Sequence, residues 1–196
     1  MIEPLARRHV MRVAELHCAA LTGLLTALGP AAARAFYEGC TRVRSATGFV
    51  SVNAGGVEGF VLGSTQPDAL KGEVLRANPF GTLAGLLAGV LRRPGAIRWL
   101  LKSGGGPDEG RYDATSPELT YLAVAREARG GGVGRQLVDA FTRAMGEAGA
   151  PAYDLSVDDD NEGAIAFYER SGFVMLGRYS EFGILHRRYR RATAPA

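Results

Sequence analysis

A strand that runs into a glycine-rich turn and then a helix is the most constraining feature of this sequence. Residues 118–124 (ELTYLAV) have strand character, and apolar residues recur at helical spacing over residues 133–148. Gly130, Gly131 and Gly132 lie between them, and Gly134 follows in the first turn of the helical pattern. Each glycine inside a helix costs about 1 kcal/mol relative to alanine. The run therefore indicates that these glycines have a role other than stabilising the helix.

Binding of an anion by the turn would explain the run of glycines. Backbone N–H groups without neighbouring side chains can surround an anion, and the N-terminus of the helix adds partial positive charge. Arg129 and Arg135 would add charged contacts. The segment therefore predicts a phosphate or pyrophosphate site, with a glycine turn that binds no ligand as the alternative.

Two other phosphate motifs fit this segment less well. A Walker loop needs G-x-x-x-x-G-K-[ST], and the segment has no lysine. A dinucleotide fingerprint needs G-x-G-x-x-G in an early βαβ unit, whereas this segment lies late in the chain and has a different spacing. The anion site is therefore predicted to belong to another class.

The chain before this segment has two helical patterns and a hairpin pattern. Helical spacing covers residues 10–24 and 33–40, and Gly29-Pro30 separates the two. Residues 49–52 and 57–62 predict strands joined by a turn. Residues 66–112 are interpreted as a helical insertion, in which glycines at 81, 85 and 89 permit close helix approach.

Two motifs occur in order in the C-terminal half of the chain. R-x-x-G-x-G spans residues 129–134, and N-x-x-A-x-x-x-Y-x-x-x-G-F spans residues 161–173. Together they resemble the signatures of the GNAT superfamily of acetyl-CoA-dependent N-acetyltransferases. The resemblance is closest over residues 118–176, extends weakly back to residue 10, and does not explain residues 66–112.

The resemblance implies a fold and a cosubstrate. The fold is one α/β domain over residues 1–196, with a mixed twisted sheet, flanking helices and a helical insertion before the fourth strand. The cosubstrate is acetyl-CoA. The residues implied to bind it are Leu122, Ala123, Val124, Arg129, Gly130, Gly131, Gly132, Val133, Gly134, Arg135, Asn161, Ala164 and Tyr168.

The same resemblance implies which part of the cosubstrate each of these residues contacts. Backbone groups of residues 122–124 face the thioester and the pantetheine arm, and N–H groups of residues 129–135 bind the pyrophosphate. Asn161 contacts the cofactor arm, and Tyr168 lies near the sulfur. Asn161 and Tyr168 are seven residues apart, which places them on nearly one face if both are helical.

The implied reaction is direct attack of a primary amine on the thioester carbonyl of an acetyl or other acyl group. The N–H group of Val124 would polarise that carbonyl, and the Tyr168 phenol would protonate the leaving thiolate. Glu118 is the first candidate for the general base, and His186 is the alternative. The competing hypothesis is a non-catalytic acyl-CoA-binding or regulatory domain on the same scaffold.

Composition narrows the remaining function classes. The formal net charge of +3 is weak support for nucleic-acid binding, so no nucleic-acid partner is expected. No apolar stretch reaches the roughly 18 residues of a membrane span, and two cysteines and three scattered histidines show no metal-binding spacing. We expect a cytoplasmic protein without a metal, which binds acyl-CoA and an amine acceptor. A homodimer and the identity of the acceptor stay open.

Overall fold

The computed structural model describes residues 1–92, 116–181 and 183–194 of the chain. The strands that it describes form one mixed seven-stranded sheet. These strands are β1 (Ile2–Pro4), β2 (Ala46–Asn53), β3 (Gly56–Ser64), β4 (Glu118–Val124), β5 (Ala152–Asp158), β6 (Val174–Glu181) and β7 (Ile184–Ala192). Their order in the sheet is β1-β2-β3-β4-β5-β7-β6. The β4–β5 pair is parallel, and the other neighbouring pairs are antiparallel.

Helices pack on both faces of this sheet. The helices are α1 (Val10–Ala20), α2 (Leu24–Leu28), α3 (Pro30–Cys40), α4 (Pro67–Ala77), α5 (Pro79–Arg92), α6 (Val133–Glu147) and α7 (Glu162–Arg170). Short 3₁₀ turns cover Arg7–His9 and Arg126–Ala128. The predicted α/β fold, with helices inserted before the fourth strand, is confirmed.

The two faces of the sheet have separate apolar cores. On one face, α6 and α7 pack around buried aromatic side chains that include Phe141, Tyr153 and Tyr168. On the other face, α1 and α3 cover Phe60 and bury Tyr37. Burial of these apolar side chains is the main stabilising contribution to such a layered fold.

Several boundaries differ from the sequence-based prediction. The first helical pattern divides into α1 and α2, because the backbone becomes extended at Leu21 and Gly23, with a φ of +106°, is the N-cap of α2. β1 was not predicted, since three residues are too short to show a period. Asn161 is the N-cap of α7, since its side chain accepts a hydrogen bond from the Ala164 N–H group.

The predicted insertion contains α4 and α5 up to residue 92, and its remainder lies outside the described residues. The predicted role of glycines in packing is confirmed at two positions: a Cβ at Gly85 would crowd Ala32 of α3, and one at Gly89 would crowd Leu28. Leu83, Leu87 and Leu91 are exposed in this structure. In the described ranges no single helix is long and apolar enough to cross a membrane, although α4 and α5 pass that test as a pair bent by 98°.

Candidate functional site

The parallel strands β4 and β5 meet at one end and separate at the other. Their pairing register contains Glu118 opposite Asp154, and the Asp154 N–H group donates to the Pro117 carbonyl oxygen over 2.8 Å. Beyond this point β4 stays paired with β3, and β5 stays paired with β7. A gap therefore opens between the carboxyl ends of β4 and β5, which is where open α/β sheets bind ligands.

A β-bulge in β4 lies just above this meeting point. Leu62 pairs with Tyr121 and Gly63 pairs with Leu119, so Thr120 is an extra residue in β4. The bulge reverses the alternation of side chains: Leu119 faces the core under α6, and Tyr121 faces the core under α1 and α3. The bulge could not be predicted from the sequence, because a strand period does not show which residue is unpaired.

The bulge also decides which backbone groups of β4 point into the gap. The Ala125 N–H group donates to the Glu58 carbonyl oxygen on the β3 side. Because successive residues of a strand alternate their hydrogen-bonding edge, the N–H groups of Leu122 and Val124 point away from β3 and toward β5. Both N–H groups therefore point into the gap between β4 and β5.

The glycine turn forms a set of free backbone donors at the start of α6. Gly130 and Gly132 have φ values of +81° and +79°, which favour glycine, and Gly132 is the N-cap. No residue in the described part of the chain accepts a hydrogen bond from the N–H groups of residues 130–135. We call these groups the N–H cradle. They fit a phosphate or pyrophosphate at a helix N-terminus.

The two arginines beside the cradle already have partners within the protein. Nε of Arg129 donates to the Val124 carbonyl oxygen over 3.1 Å, and the Arg129 N–H group donates to Arg126. A side-chain nitrogen of Arg135 lies 3.4 Å from the Arg170 carbonyl oxygen, and Nε lies 3.8 Å from Asp139. The Arg129 side chain thus connects the cradle to the end of β4.

Helix α7 packs against the N-terminus of α6 and the end of β4. A Cβ at Gly134 would lie 3.2 Å from the ring of Phe167 and 3.7 Å from Val124. A larger residue there would therefore press α7 away from the cradle. This contact brings together the cradle, the end of β4 and the helix that carries Tyr168.

Tyr168 lies buried between α7 and the sheet. Its ring contacts Phe173 edge-on at a centroid distance of 5.4 Å. Burial raises the pKa of Tyr168 well above its usual value, so the phenol is protonated at neutral pH. Within the described ranges, no group hydrogen-bonds its hydroxyl. Asn161 caps α7 from its start, so its Oδ1 atom is already engaged.

Glu118 lies at the meeting point of β4 and β5 rather than beside Tyr168. Its Oε2 atom accepts a hydrogen bond of 2.8 Å from Nη1 of Arg188, and the two side chains are 17% and 7% exposed. Arg188 also donates to the Ser156 hydroxyl over 2.9 Å and lies 3.5 Å from Asp154. Glu118 is therefore part of a network of ion pairs that connects β4, β5 and β7.

A second polar group lies farther along the same face of the sheet. Nδ1 of His186 is 3.0 Å from Oδ1 of Asp158, its cross-strand neighbour. The imidazole stacks on Tyr179 at a centroid distance of 5.3 Å and an angle of 27°. The Tyr179 hydroxyl donates to Ser156 over 2.9 Å. Sequence spacing could not reveal this cluster, since its members belong to three strands.

An aromatic cluster borders this face at Tyr121. The ring of buried His17 lies 4.8 Å from Tyr121, and its Nδ1 atom is 2.7 Å from the Tyr37 hydroxyl. Burial lowers the pKa of His17 to about 4, and burial raises the pKa of Tyr121 to about 12, with smaller effects of Cys40 and Glu118. Both side chains are therefore neutral near pH 7. No group of three metal-ligating side chains occurs among the residues that the structure describes.

Known proteins resemble this chain in sequence and in structure. The model of the Acetyltransferase (GNAT) family matches residues 81–173. A mycothiol acetyltransferase of Beutenbergia cavernae is 35% identical over 72 residues, which are 37% of this chain and 24% of the relative. The N-alpha-acetyltransferase 30 of Schizosaccharomyces pombe is 38% identical over 60 residues, which are 31% of this chain and 40% of the relative. The matches thus cover less than half of each relative.

The fold is shared over nearly the whole chain. A crystal structure described as an acetyltransferase aligns with a TM-score of 0.65, covering 99% of this chain and 100% of that protein. Sequence identity in this alignment is 19%. The similarity therefore concerns the fold, including the parts of the chain that the family model does not match.

Proposed function

Since the chain carries a GNAT acetyltransferase domain, by family model and by fold, we propose that it transfers an acetyl group from acetyl-CoA to a primary amine. The observation that carries this proposal is the meeting of three features at one end of the β4–β5 gap. They are the N–H cradle, the outward N–H groups of Leu122 and Val124, and helix α7 with Tyr168. The name of one relative, an N-alpha-acetyltransferase, supports an amine as acceptor.

The cradle would hold the pyrophosphate of acetyl-CoA. Its donors have no acceptor in the described part of the chain, Gly130 and Gly132 leave open space, and the dipole of α6 favours negative charge there. The N–H groups of Leu122 and Val124 would bind the pantetheine arm and the thioester carbonyl, with Asn161 and Ala164 bordering the arm. Bound acetyl-CoA supplies an acetyl group on a thiolate leaving group.

Tyr168 would protonate that thiolate. Its phenol is protonated at neutral pH, since burial raises its pKa further above neutrality, and no acceptor in the described part of the chain holds that proton. Proton donation of this kind contributes about 10²–10⁴-fold to a rate. Glu118 is the base predicted from the sequence, and its carboxylate is paired with Arg188.

A thiol-release screen tests the function directly. Purified protein is mixed with acetyl-CoA and, separately, with representatives of the amine classes: peptide N-termini, lysine, polyamines, aminoglycosides and amino acids. We expect free thiol to appear in stoichiometric amounts with N-acetylated product for at least one class. Binding of acetyl-CoA without thiol release across the panel would instead support the non-catalytic acyl-CoA-binding hypothesis. The cytoplasmic location and the homodimer stay predictions.

A further inference from the structure

We propose that His186, oriented by Asp158, is the general base that takes the proton from the acceptor amine. This inference rests on the proposed acetyl transfer and adds the residue that activates the nucleophile. Among the described residues, Asp158 and His186 form the only carboxylate–imidazole pair between β5 and β7. The other such pair, His9 with Glu3, joins the first 3₁₀ turn to β1.

The pair has the geometry of an oriented base. Oδ1 of Asp158 lies 3.0 Å from Nδ1 of His186, and a carboxylate beside that nitrogen favours the tautomer that carries its proton on Nδ1 and leaves Nε2 with its lone pair. Within the described ranges, Nε2 has no hydrogen-bond partner, and the side chain is 16% exposed. Tyr179 stacks on the ring and fixes its plane. The imidazole is thus held on two sides and open at the atom that accepts protons.

His186 lies at the height of the predicted thioester. Leu122 and Val124 pair with Val61 and Gly59, which are three and five residues from Ser64, the partner of Glu118. Asp158, opposite His186, is four residues from Asp154, the other partner of Glu118. The rise along a strand is about 3.3 Å per residue. Residues 122–124 of β4 and His186 of β7 therefore both lie roughly 10–17 Å above the point where β4 and β5 meet.

The imidazole also lies on the opposite face from Tyr168. Leu155, Val157 and Tyr189 point into the core that contains Tyr168. The residues that alternate with them, Asp158, His186 and Arg188, therefore point to the other face, where His186 pairs with Asp158 and Arg188 donates to Ser156. His186 as base on one face of the sheet and Tyr168 as acid on the other face would let the amine approach the carbonyl on one side while the thiolate leaves on the other.

The proton and electron balance of the step is simple. The amine nitrogen forms a bond to the carbonyl carbon, and the carbon–sulfur bond breaks with its electron pair going to sulfur. The nitrogen gives one proton to Nε2 of His186, and sulfur takes the phenolic proton of Tyr168. Solvent then returns a proton from the imidazolium to the phenolate, so the products are an amide and a free thiol.

Glu118 is less suited to this step. It lies at the bottom of the gap, about 10 Å or more below residues 122–124. Its Oε2 atom is bound by buried Arg188, and removing that partner from a carboxylate is costly. Among the described residues, Asp158 on β5 and Tyr179 on β6 face His186 from neighbouring strands, and Arg188 is two residues away on the same face of β7.

The test compares His186→Gln, Asp158→Asn and Glu118→Gln in thiol-release assays across pH 5.5–9, with the acceptor found by the amine screen. We expect H186Q to lower kcat about 10²–10⁴-fold and to flatten its pH profile, with the Kd of acetyl-CoA unchanged. D158N should lower kcat by a smaller factor. Imidazole added to His186→Ala should restore part of the rate, which a structural role would not permit.

His9→Gln is the matched control, since His9 is also paired with a carboxylate but lies away from the gap. It should leave kcat unchanged. If H186Q keeps kcat within threefold, or if E118Q loses more rate than H186Q, the assignment of His186 is wrong while the acetyl transfer stands. If the wild type releases no thiol with any amine, both the proposed function and this inference fail.

Discussion

Arg188 places its Nη1 atom 2.8 Å from Oε2 of Glu118, across 70 residues of sequence and at the point where β4 and β5 separate. The same guanidinium reaches the Ser156 hydroxyl on β5. One side chain of β7 thus bridges the two strands whose separation opens the site. The charge network stabilises the bottom of the gap, and the chemistry proposed for the gap lies above it.

Loss of this bridge should destabilise the fold. Arg188→Met leaves the carboxylate of Glu118 largely buried without its cation, and breaking such a pair costs about 3–5 kcal/mol. Urea unfolding followed by circular dichroism measures the change. The matched control is Arg12→Met, which breaks an exposed pair with Glu15 and should cost less than about 1 kcal/mol. Equal stability of R188M and wild type would contradict the role given to this bridge.

A negative charge in the N–H cradle should prevent CoA binding. Gly132→Glu puts a carboxylate where the pyrophosphate is proposed to bind, and like charges in close contact cost several kcal/mol. We expect the Kd of CoA, measured by isothermal titration calorimetry, to rise by more than about a hundredfold.

Gly149→Glu is the control for this substitution. Gly149 follows the other end of α6 and has a φ of +82°, so a side chain there causes similar backbone strain. G149E should lose stability as G132E does and keep its affinity for CoA. If both variants lose affinity equally, the effect is structural and the cradle assignment is wrong.

Removal of the Tyr168 hydroxyl should slow the reaction without weakening the fold. The hydroxyl has no hydrogen-bond partner in the described part of the chain, so Tyr168→Phe removes no internal contact of that group. We expect kcat to fall about 10²–10⁴-fold with an unchanged Kd for acetyl-CoA.

Tyr153→Phe gives the opposite pattern and serves as the comparison. Its hydroxyl lies 2.9 Å from that of Thr142, so the variant should lose about 1 kcal/mol of stability and keep its kcat. Full activity of Y168F across pH would remove Tyr168 from the mechanism.

Buried His17 should make the protein sensitive to acid. Burial lowers its pKa from 6.5 to about 4, so the unfolded chain binds a proton that the folded chain excludes between these values. The free energy of unfolding should therefore decrease by about 3 kcal/mol as pH falls from 6.5 to 4.

His17→Phe should remove most of that decrease, whatever its stability at neutral pH. Chemical denaturation at half-unit pH intervals measures both slopes. The pKa of His9 is also lowered, chiefly by burial, so a smaller slope should persist in the variant. An unchanged slope in H17F would show that His17 does not carry the acid sensitivity.

Local chemistry explains what the sequence could predict. The glycine turn was predictable because Gly130 and Gly132 adopt positive φ, which other residues rarely do, and because free N–H groups at a helix start attract anions. The fold class and the helices of the insertion followed from apolar periods and from two motifs. Those features depend on neighbours within about a dozen residues.

The remaining features depend on register between distant strands. The bulge at Thr120 turns Tyr121 to the other face, and no residue type marks it in the sequence. The pairs Glu118–Arg188 and Asp158–His186 exist because β7 lies beside β5, between that strand and β6. The sequence by itself determined the glycine turn, whereas only the tertiary structure decided which polar side chains meet on one face of β5 and β7, because cross-strand register brings together residues that are far apart in the chain.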